Sequence, residues 1–178
     1  MATVKKFKAQ IVIALAAFAA ALIIQRGDWS DLVLLWLPLL GVTFNKFDSF
    51  VEAVAEKVHN LGADTLTVFL TTNANAPVAS NTQLSNITQI SYTNLSSRNI
   101  TTTSSAQTSG TYKLTLTDLV LTASGAVATF RRVGVYNDTA TNDELIGHFD
   151  YGSDVTMANG ETFTLDFDGS AGFLTIGP

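Results

Sequence analysis

The strongest pattern in the chain is a pair of apolar-rich runs on either side of a polar connection, within residues 130–151. The apolar members of the two runs are, in order, Val133, Val135, Tyr136, Leu145, Ile146, Phe149 and Tyr151. Asn and Asp are frequent in the connection, and their side chains bond their own backbone in turns. The pattern therefore predicts a β-hairpin, on which the rest of the domain packs.

Runs of strand-like composition continue on both sides of this hairpin. Residues 65–71 are rich in β-branched and apolar side chains, whereas the polar segment 80–109 predicts at most two short strands, near 86–92 and 98–103. Alternation resumes after the hairpin, and about eight short strands separated by turns are typical of an antiparallel β-sandwich or a barrel-like domain. The predicted core consists of Phe130, Val133, Val135, Phe149, Phe163, Leu165 and Phe167.

Two local signals in this region predict changes of chain direction. The apolar positions change parity between Leu116 and Leu119, and a β-bulge or kink near Thr117 and Asp118 would keep both sets on one face of a sheet. The Asn-Gly pair at 159–160 is the strongest signal for a two-residue hairpin turn.

Before the strands begin, the apolar positions follow helical spacing. These positions are Phe47, Phe50, Val51, Val54, Val58 and Leu61. Ser49 and Glu52 are placed as a capping box, and Gly62 is placed to end the helix. The spacing predicts one amphipathic helix over residues 48–61 with its apolar face packed on a sheet. A helix that binds a partner is the alternative.

The first 43 residues have a different character. Lys5, Lys6 and Lys8 precede an apolar run over residues 11–24, and a second run covers residues 32–42. Both runs are shorter than the roughly 20 residues that a membrane-spanning helix needs.

Four interpretations of this segment stay open. They are a cleaved signal peptide, a membrane hairpin through residues 11–42, two short helices buried against protein, and a segment without a role. We expect two parts in the chain: an apolar helical arm over residues 1–43, and a domain of one helix plus antiparallel strands over residues 44–178.

Composition and charge narrow the function classes. Charged residues make up 14% of the chain and hydrophobic residues 47%, so Thr, Asn and Ser must supply much of the polar surface, which suggests a component of an assembly. Residues 1–43 carry four basic and two acidic side chains, net +2, and residues 44–178 carry six and thirteen, net −7, giving −5 in total. The acidic domain would repel phosphate backbones, which excludes direct nucleic-acid binding. The sequence has no Cys, and hence no disulfide or thiolate metal site.

Candidate chemistry is sparse. His59 and His148 have no second His at ligand spacing and no nucleophile motif nearby. The acidic turn, defined as residues 138–144, lacks the order of an EF-hand loop and is read as turn-forming. Asp166 and Asp168 alternate with core positions and are expected to point outward together on a solvated face.

Four Asn-x-Ser/Thr triplets complete the list of motifs, at Asn86, Asn94, Asn99 and Asn137. They matter only in a eukaryotic secretory protein. We assign no catalytic, cofactor-binding or metal-binding residue from the sequence.

Several stretches between residues 44 and 178 resemble a group of small structural proteins of tailed bacteriophages. The stretches are FNKFDSF, VEAVAEKVHNLGADTLTVFLT, SSAQTSGTYKLTL, VYNDTATNDELIG and FDYGSDVTMANGETFTLDFD. Proteins of that group usually begin near the position of Phe44, so residues 1–43 depart from the pattern. The resemblance implies a virion component whose motifs are structural rather than catalytic.

From the resemblance and the composition together, we expect a virion protein without enzymatic activity or cofactor. The first choice is a capsid decoration or cement protein that binds the assembled shell, with the major capsid protein or other virion proteins and further copies of itself as partners. The alternatives are a tail tube or tail fibre component and a membrane-tethered β-module.

Overall fold

The structure, a computed structural model, describes residues 11–16, 19–24 and 44–177, and the chain divides into two units, residues 1–40 and 41–178. In the first unit, strands β1 (Ile11–Ala16) and β2 (Ala19–Ile24) pair antiparallel. The structure therefore has strands where the sequence predicted a helix. Ile, Val and Ile open the first strand in succession, and β-branched side chains favour extended backbone. The second predicted run, residues 32–42, lies outside the described residues.

The second unit is mainly β, as predicted. Its elements are β3 (Phe44–Lys46), α1 (Phe50–Ala55), β4 (Leu66–Thr71), β5 (Asn99–Ile100), β6 (Thr102–Thr108), β7 (Thr111–Leu116), β8 (Leu119–Thr122), β9 (Val127–Asn137), β10 (Leu145–Met157), β11 (Thr162–Leu165) and β12 (Leu174–Ile176). They form three antiparallel sheets, in the orders β3-β10-β9-β4-β5, β11-β8 and β12-β7-β6. None of these described sheets closes on itself.

The predicted hairpin over residues 130–151 is confirmed as β9 and β10, at the centre of the five-stranded sheet. The strand predicted over 65–71 is β4, which pairs with the other edge of β9. Gly134 stands opposite His148 on one side and Phe69 on the other. This row of three residues runs across the middle of the sheet.

The five-stranded sheet buries both of its faces. Leu66, Val68 and Leu70 of β4 belong to the main core, whereas Phe69 belongs to a second cluster with Phe47, Ile87, Tyr136 and Leu145. Of the predicted core, Phe130, Val133, Val135 and Phe167 are buried, and Phe149, Phe163 and Leu165 are partly buried. Side chains of all three sheets contribute to the main core.

The long polar segment between β4 and β5 covers the sheet without forming the strand predicted near 86–92. It contains a 3₁₀ turn at Leu84–Asn86, and the strand predicted near 98–103 is found as the short β5 and the start of β6. The Ile90 N–H donates to the Leu70 carbonyl (3.0 Å), and the Leu70 N–H donates to the Tyr92 hydroxyl (2.9 Å). Side chains and isolated backbone contacts therefore satisfy the edge of β4, so a regular strand is not needed there.

The helix is shorter than predicted. It covers Phe50–Ala55, and the Ser49 side chain makes no capping hydrogen bond. Lys57 has a left-handed backbone (φ +64°), which ends the helix well before Gly62, and Val51 on the expected apolar face is 59% exposed. Of the predicted apolar positions, Phe47, Phe50 and Leu61 are buried and Val54 packs against the main core, but only Phe50 and Val54 of these four lie on the helix itself.

The parity change near Thr117 marks a change of sheet rather than a bulge. Strand β7 pairs with β6 and β12, whereas β8 pairs with β11. Between them, the Thr117 N–H donates to the Thr101 carbonyl (2.9 Å), and an Asp118 carboxylate oxygen accepts from the Phe167 N–H (2.9 Å). The chain can thus bury Leu116 and Leu121 in one core while belonging to two sheets.

The predicted tight turn at 159–160 is present, but it does not form a hairpin. The Glu161 N–H donates to the Ala158 carbonyl (3.1 Å) and Gly160 has φ +84°, but β10 and β11 do not pair with each other. The two-residue turn with positive φ at both positions is at 109–110, with φ +51° and +85°, and it joins β6 to β7.

We expect Gly134→Ala to destabilise the protein strongly. A Cβ at this position would overlap the Phe69 ring, which is fully buried and has no room to move aside. Overpacking of this kind costs about 1–3 kcal/mol. The midpoint of urea unfolding should fall for Gly134→Ala and recover in part when Phe69→Leu is added. Gly169→Ala is the matched control, because a Cβ there meets nothing within 4 Å. Equal midpoints for both glycine variants would contradict the packing described here.

Candidate functional site

The two histidines lie in separate surroundings, each against a phenylalanine of the segment around α1. The ring centroid of His59 is 5.3 Å from that of Phe50, and the centroid of His148 is 5.2 Å from that of Phe47. Both imidazoles are more than nine-tenths buried. Within the described part of the chain, His59 Nε2 and His148 Nδ1 have no hydrogen-bond partner. Burial between rings is the environment of a neutral histidine that packs as an aromatic group.

Asn137, at the end of β9, is the most connected polar side chain in the described part of the chain. It is fully buried, and its Nδ2 lies 2.6 Å from an Asp64 carboxylate oxygen and 3.2 Å from His59 Nδ1. Its Oδ1 accepts from the N–H groups of Thr139 (3.0 Å) and Ala140 (3.2 Å). One amide therefore connects the loop after α1 to the start of the acidic turn.

This role of Asn137 could not be predicted from the sequence, where the residue belongs to a turn-forming stretch and to a glycosylation triplet, because its partners His59 and Asp64 lie far away along the chain. Its burial excludes it as an acceptor of a bulky glycan. The other three triplet asparagines also have structural partners. Asn86 Oδ1 accepts from Thr82 N–H, Asn94 Nδ2 donates to the Ala126 carbonyl, and Asn99 Oδ1 accepts from the Thr67 hydroxyl.

The protonation state of His59 follows from this network. Because Asn137 Nδ2 donates to Nδ1, the imidazole is neutral with its hydrogen on Nε2. Burial lowers the pKa of His59, against the opposing effect of the nearby carboxylates of Glu144 and Asp64. Burial also lowers the pKa of His148, and the Arg132 guanidinium adds to that effect.

A surface groove of about 220 Å³ adjoins His59. Its lining consists of Val54, His59, Asn60, Leu61, Gly62, Ser105, Tyr112 and Ile176. The Ser105 and Tyr112 hydroxyls lie 2.9 Å apart and bond each other, while His59 Nδ1 is bonded to Asn137. The groove therefore lacks the base-to-hydroxyl contact that would activate a serine nucleophile.

The acidic turn does not gather its oxygens around one point. Asp138 accepts from the Tyr136 hydroxyl (3.0 Å), and Glu144 accepts from the Asn142 side chain (2.9 Å). Burial and the Asp138 carboxylate raise the pKa of Tyr136 to about 12. Burial and the neighbouring carboxylates of Asp138 and Glu144 raise the pKa of Asp143, whose backbone is left-handed (φ +55°). Within residues 44–177, no group of three or more His, Asp or Glu side chains could hold a metal ion.

Asp166 and Asp168 are both exposed, in keeping with the predicted solvated face. Asp168 accepts from the N–H groups of Ser170 and Ala171, each at 2.8 Å, and these bonds lower the pKa of its carboxyl. The Asp168 carboxylate is thus the hydrogen-bond acceptor of a local turn, and this structural role accounts for an aspartate at this position.

The central hairpin also carries an ion cluster that was not predicted from the sequence. Asp150 receives Arg131 Nε at 2.8 Å and Arg132 Nη2 at 3.1 Å, and the hydrogen bond from Arg131 is the main reason why its pKa is lowered to about 2. Arg132 and Asp150 are register partners on β9 and β10. A register shift between Leu145 and Gly147 moves the pairing by one residue, so counting outward from the turn would pair Asp150 with Arg131 instead. The hairpin pattern therefore indicates an arginine opposite Asp150, but not which of the two.

We expect Asn137→Ala to destabilise the chain by about 2 kcal/mol or more. The substitution leaves the Thr139 and Ala140 N–H groups and the Asp64 carboxylate without their buried partner, and unsatisfied polar groups carry that order of cost. Asn142→Ala, at an exposed position of the same turn, should change the free energy of unfolding by less than about 0.5 kcal/mol. Chemical denaturation of both variants checks this. Similar losses for the two would rule out a special role for Asn137.

We expect acidification below about pH 6.5 to destabilise the protein through the histidines. The pKa values of His59 and His148 are lowered in the folded state, so the unfolded chain binds protons first as the pH falls. The histidine contribution is therefore complete above pH 6.5 and is lost progressively as the pH falls toward the folded-state pKa values. Unfolding free energies measured from pH 7 to pH 5 should fall less steeply for His59→Gln and His148→Gln than for the native sequence. Parallel pH profiles would show that the histidines are not responsible.

No helix in the described part of the chain is long and apolar enough to cross a membrane. Comparisons with models of protein families, with curated proteins and with solved structures found no match to this chain.

Proposed function

We propose that this chain is a structural protein of a tailed-bacteriophage virion, a capsid decoration protein that binds the assembled shell. The observation that carries the proposal is the resemblance of residues 44–178 to small phage structural proteins, taken with the structural roles of the residues that make it up. Their described side chains pack, turn the chain or bond one another.

The stretch FDYGSDVTMANGETFTLDFD illustrates these roles. Tyr151 packs edge-on against Phe163 with ring centroids 5.3 Å apart. Gly152 and Gly160 have positive φ at turns, and Phe167 is buried in the main core. The residues of this stretch therefore determine the conformation of the domain. Motifs with such a structural role are what a subunit of a shell requires.

We further propose that the three sheets stack as a β-sandwich around the main core. Support comes from Val68 of the five-stranded sheet, Leu114 of β7 and Leu121 of β8, which belong to one buried cluster. In this arrangement the domain is a rigid block whose outer surfaces contact other subunits. The apolar segment at residues 1–43 then serves as an arm that packs against neighbouring virion proteins.

The surface of the domain suits contacts with protein. Several large apolar side chains are exposed, namely Val51, Val78, Val120, Tyr151 and Ile176. The domain is also acidic, with a net charge of −7 over residues 44–178 from six basic and thirteen acidic side chains. Scattered apolar side chains on an acidic, Thr- and Asn-rich surface fit a protein that binds the outside of a shell, away from the packaged nucleic acid.

The proposal is tested by counting this chain in purified virions with quantitative mass spectrometry. We expect a copy number that rises in proportion to the number of shell subunits. A count in small multiples of three or six would instead place the chain in the tail tube or fibre, where cyclic symmetry sets the number. Absence of the chain from purified particles would refute a virion function altogether.

A further inference from the structure

We propose that strand β6 is an interface between two copies of this chain, which pair through it in antiparallel orientation across a two-fold axis. This inference rests on the proposed function, because it names a contact by which identical subunits would join one another. The partner at β6 is a second copy of the same chain.

Strand β6 has one open edge. Among the described strands it lies at the end of its sheet and pairs with β7 alone. The two-residue turn between them makes Thr108 and Thr111 a hydrogen-bonded pair, so the backbone groups of the alternate residues Ser105 and Gln107 point away from β7. Across residues 44–177, no backbone group bonds to this outer row. An unpaired row of N–H and C=O groups is a template for another strand.

Other sheet edges in the second unit are covered, short or charged. The edge of β4 is held by β5 and by the segment 90–98, where the Val68 N–H donates to the Arg98 carbonyl (3.0 Å). The edge strand β3 has three residues and contains Lys46. Strand β11 is bounded by Glu161 and Asp166. By contrast, β6 is seven residues long and has neither charge nor proline, two of the means by which proteins protect an edge. Its ladder with β7 is irregular at Thr103, and Ser104–Thr108 pair with β7 in regular register.

The absence of charge in β6 favours a second copy as the partner. In a two-fold pairing each residue faces its own strand, so any charged side chain would stand near a like charge, which destabilises a cross-strand pair. The sequence TTSSAQT avoids this conflict at every position. The nearest charge on the neighbouring strand is Lys113, opposite Ala106, and its Nζ already donates to the Ser170 carbonyl (3.0 Å).

The register of the pair follows from the outward-facing groups. Antiparallel hydrogen-bonded pairs join residues whose backbone groups both point outward. Overlap of the two strands places Ser105, within the regular part of β6, on the two-fold axis opposite its own copy. Thr103, where the ladder with β7 is irregular, then lies opposite Gln107. Ser104 then faces Ala106. All of these side chains are exposed, so the pairing needs no rearrangement of the domain.

A pairing of this length makes a small interface, about 24 Å of strand. Its affinity in solution should be modest, and repetition over a shell would strengthen it through avidity. A test on the isolated chain therefore needs a method that traps weak dimers. Because the sequence contains no Cys, a single introduced Cys gives an unambiguous cross-link.

The test is disulfide trapping of the full chain with Ser105→Cys under mild oxidation. We expect efficient formation of a covalent dimer, because opposed residues of a hydrogen-bonded pair have Cα atoms about 5.5 Å apart, within reach of a disulfide. Thr108→Cys is the matched control on the same strand, since its two copies would lie about 20 Å apart. Absence of a Ser105→Cys dimer, or equal cross-linking of both variants, would overturn the proposal.

A charge exchange gives an independent readout. The double variant Ser104→Lys with Ala106→Lys and the corresponding Glu variant should each associate at least tenfold more weakly than the native chain in analytical ultracentrifugation. An equimolar mixture should recover dimers, because opposite charges then face each other. Dimers that persist in each variant alone, or a mixture that stays monomeric, would refute pairing through β6.

These experiments use the purified chain without virions, so their result is separable from that of the copy-number measurement. A β6 dimer from a chain that is absent from virions would refute the proposed function and keep the interface. A monomeric chain that is abundant in virions would refute the interface and keep the function.

Discussion

The ring of Phe69 lies against Gly134 on the neighbouring strand β9, in space that a side chain on that strand would otherwise fill. Gly134 is also the register partner of His148, so Phe69, Gly134 and His148 form one row across the five-stranded sheet. This packing buries the second face of the sheet. A central strand buried on both faces needs a layer of chain on each side, and the remaining segments of the domain supply those layers.

The second layer consists of segments that have little regular structure. Phe47 and Ile87 pack on the Phe69 face from the segment before α1 and from the long polar loop. The loop is anchored by Tyr92, whose hydroxyl accepts from the Leu70 N–H, and by Arg98, whose guanidinium lies 3.7 Å from the Tyr92 ring centroid. Side-chain hydrogen bonding and stacking therefore hold this segment against the sheet in place of the pairing that a further strand would make. This explains how a segment so rich in Ser, Thr and Asn forms part of a packed domain.

The elements whose signals are local could be predicted from the sequence. The hairpin β9–β10 and strand β4 show apolar runs bounded by turn residues, and such patterns depend on neighbours along the chain. The end of α1 could not be read in this way, because the left-handed Lys57 and not Gly62 ends it. The sheet change at Asp118 also depends on a distant partner, the Phe167 N–H. Hydrogen bonds between residues far apart in the sequence produce no periodic pattern along the chain from which they could be predicted.

In the candidate site, too, local features could be predicted from the sequence and contacts between distant residues could not. The acidic turn and the exposed Asp168 could be interpreted from residue type alone, whereas the buried role of Asn137 depends on Asp64 and His59, more than seventy residues earlier. The ion cluster at Asp150 lies between these cases, since the hairpin brings an arginine opposite Asp150 but the register shift between Leu145 and Gly147 decides which one. Residue type thus predicts a local turn well, and it predicts poorly which polar side chain becomes the centre of a network.

The length of β6 is not explained by the stability of the domain. Six of its seven residues are exposed, and it adds no side chain to either core cluster. A two-stranded ribbon is only marginally stable in water, and the third strand of this sheet, β12, reaches β7 only from Tyr112 to Leu114. The ladder between β6 and β7 nevertheless continues to the turn after Thr108. Strand β6 buries few side chains in its own domain and has an uncharged open edge. Pairing of that edge with a second copy of the chain would account for the length of the strand, and this is the physical basis of the proposed contact between subunits.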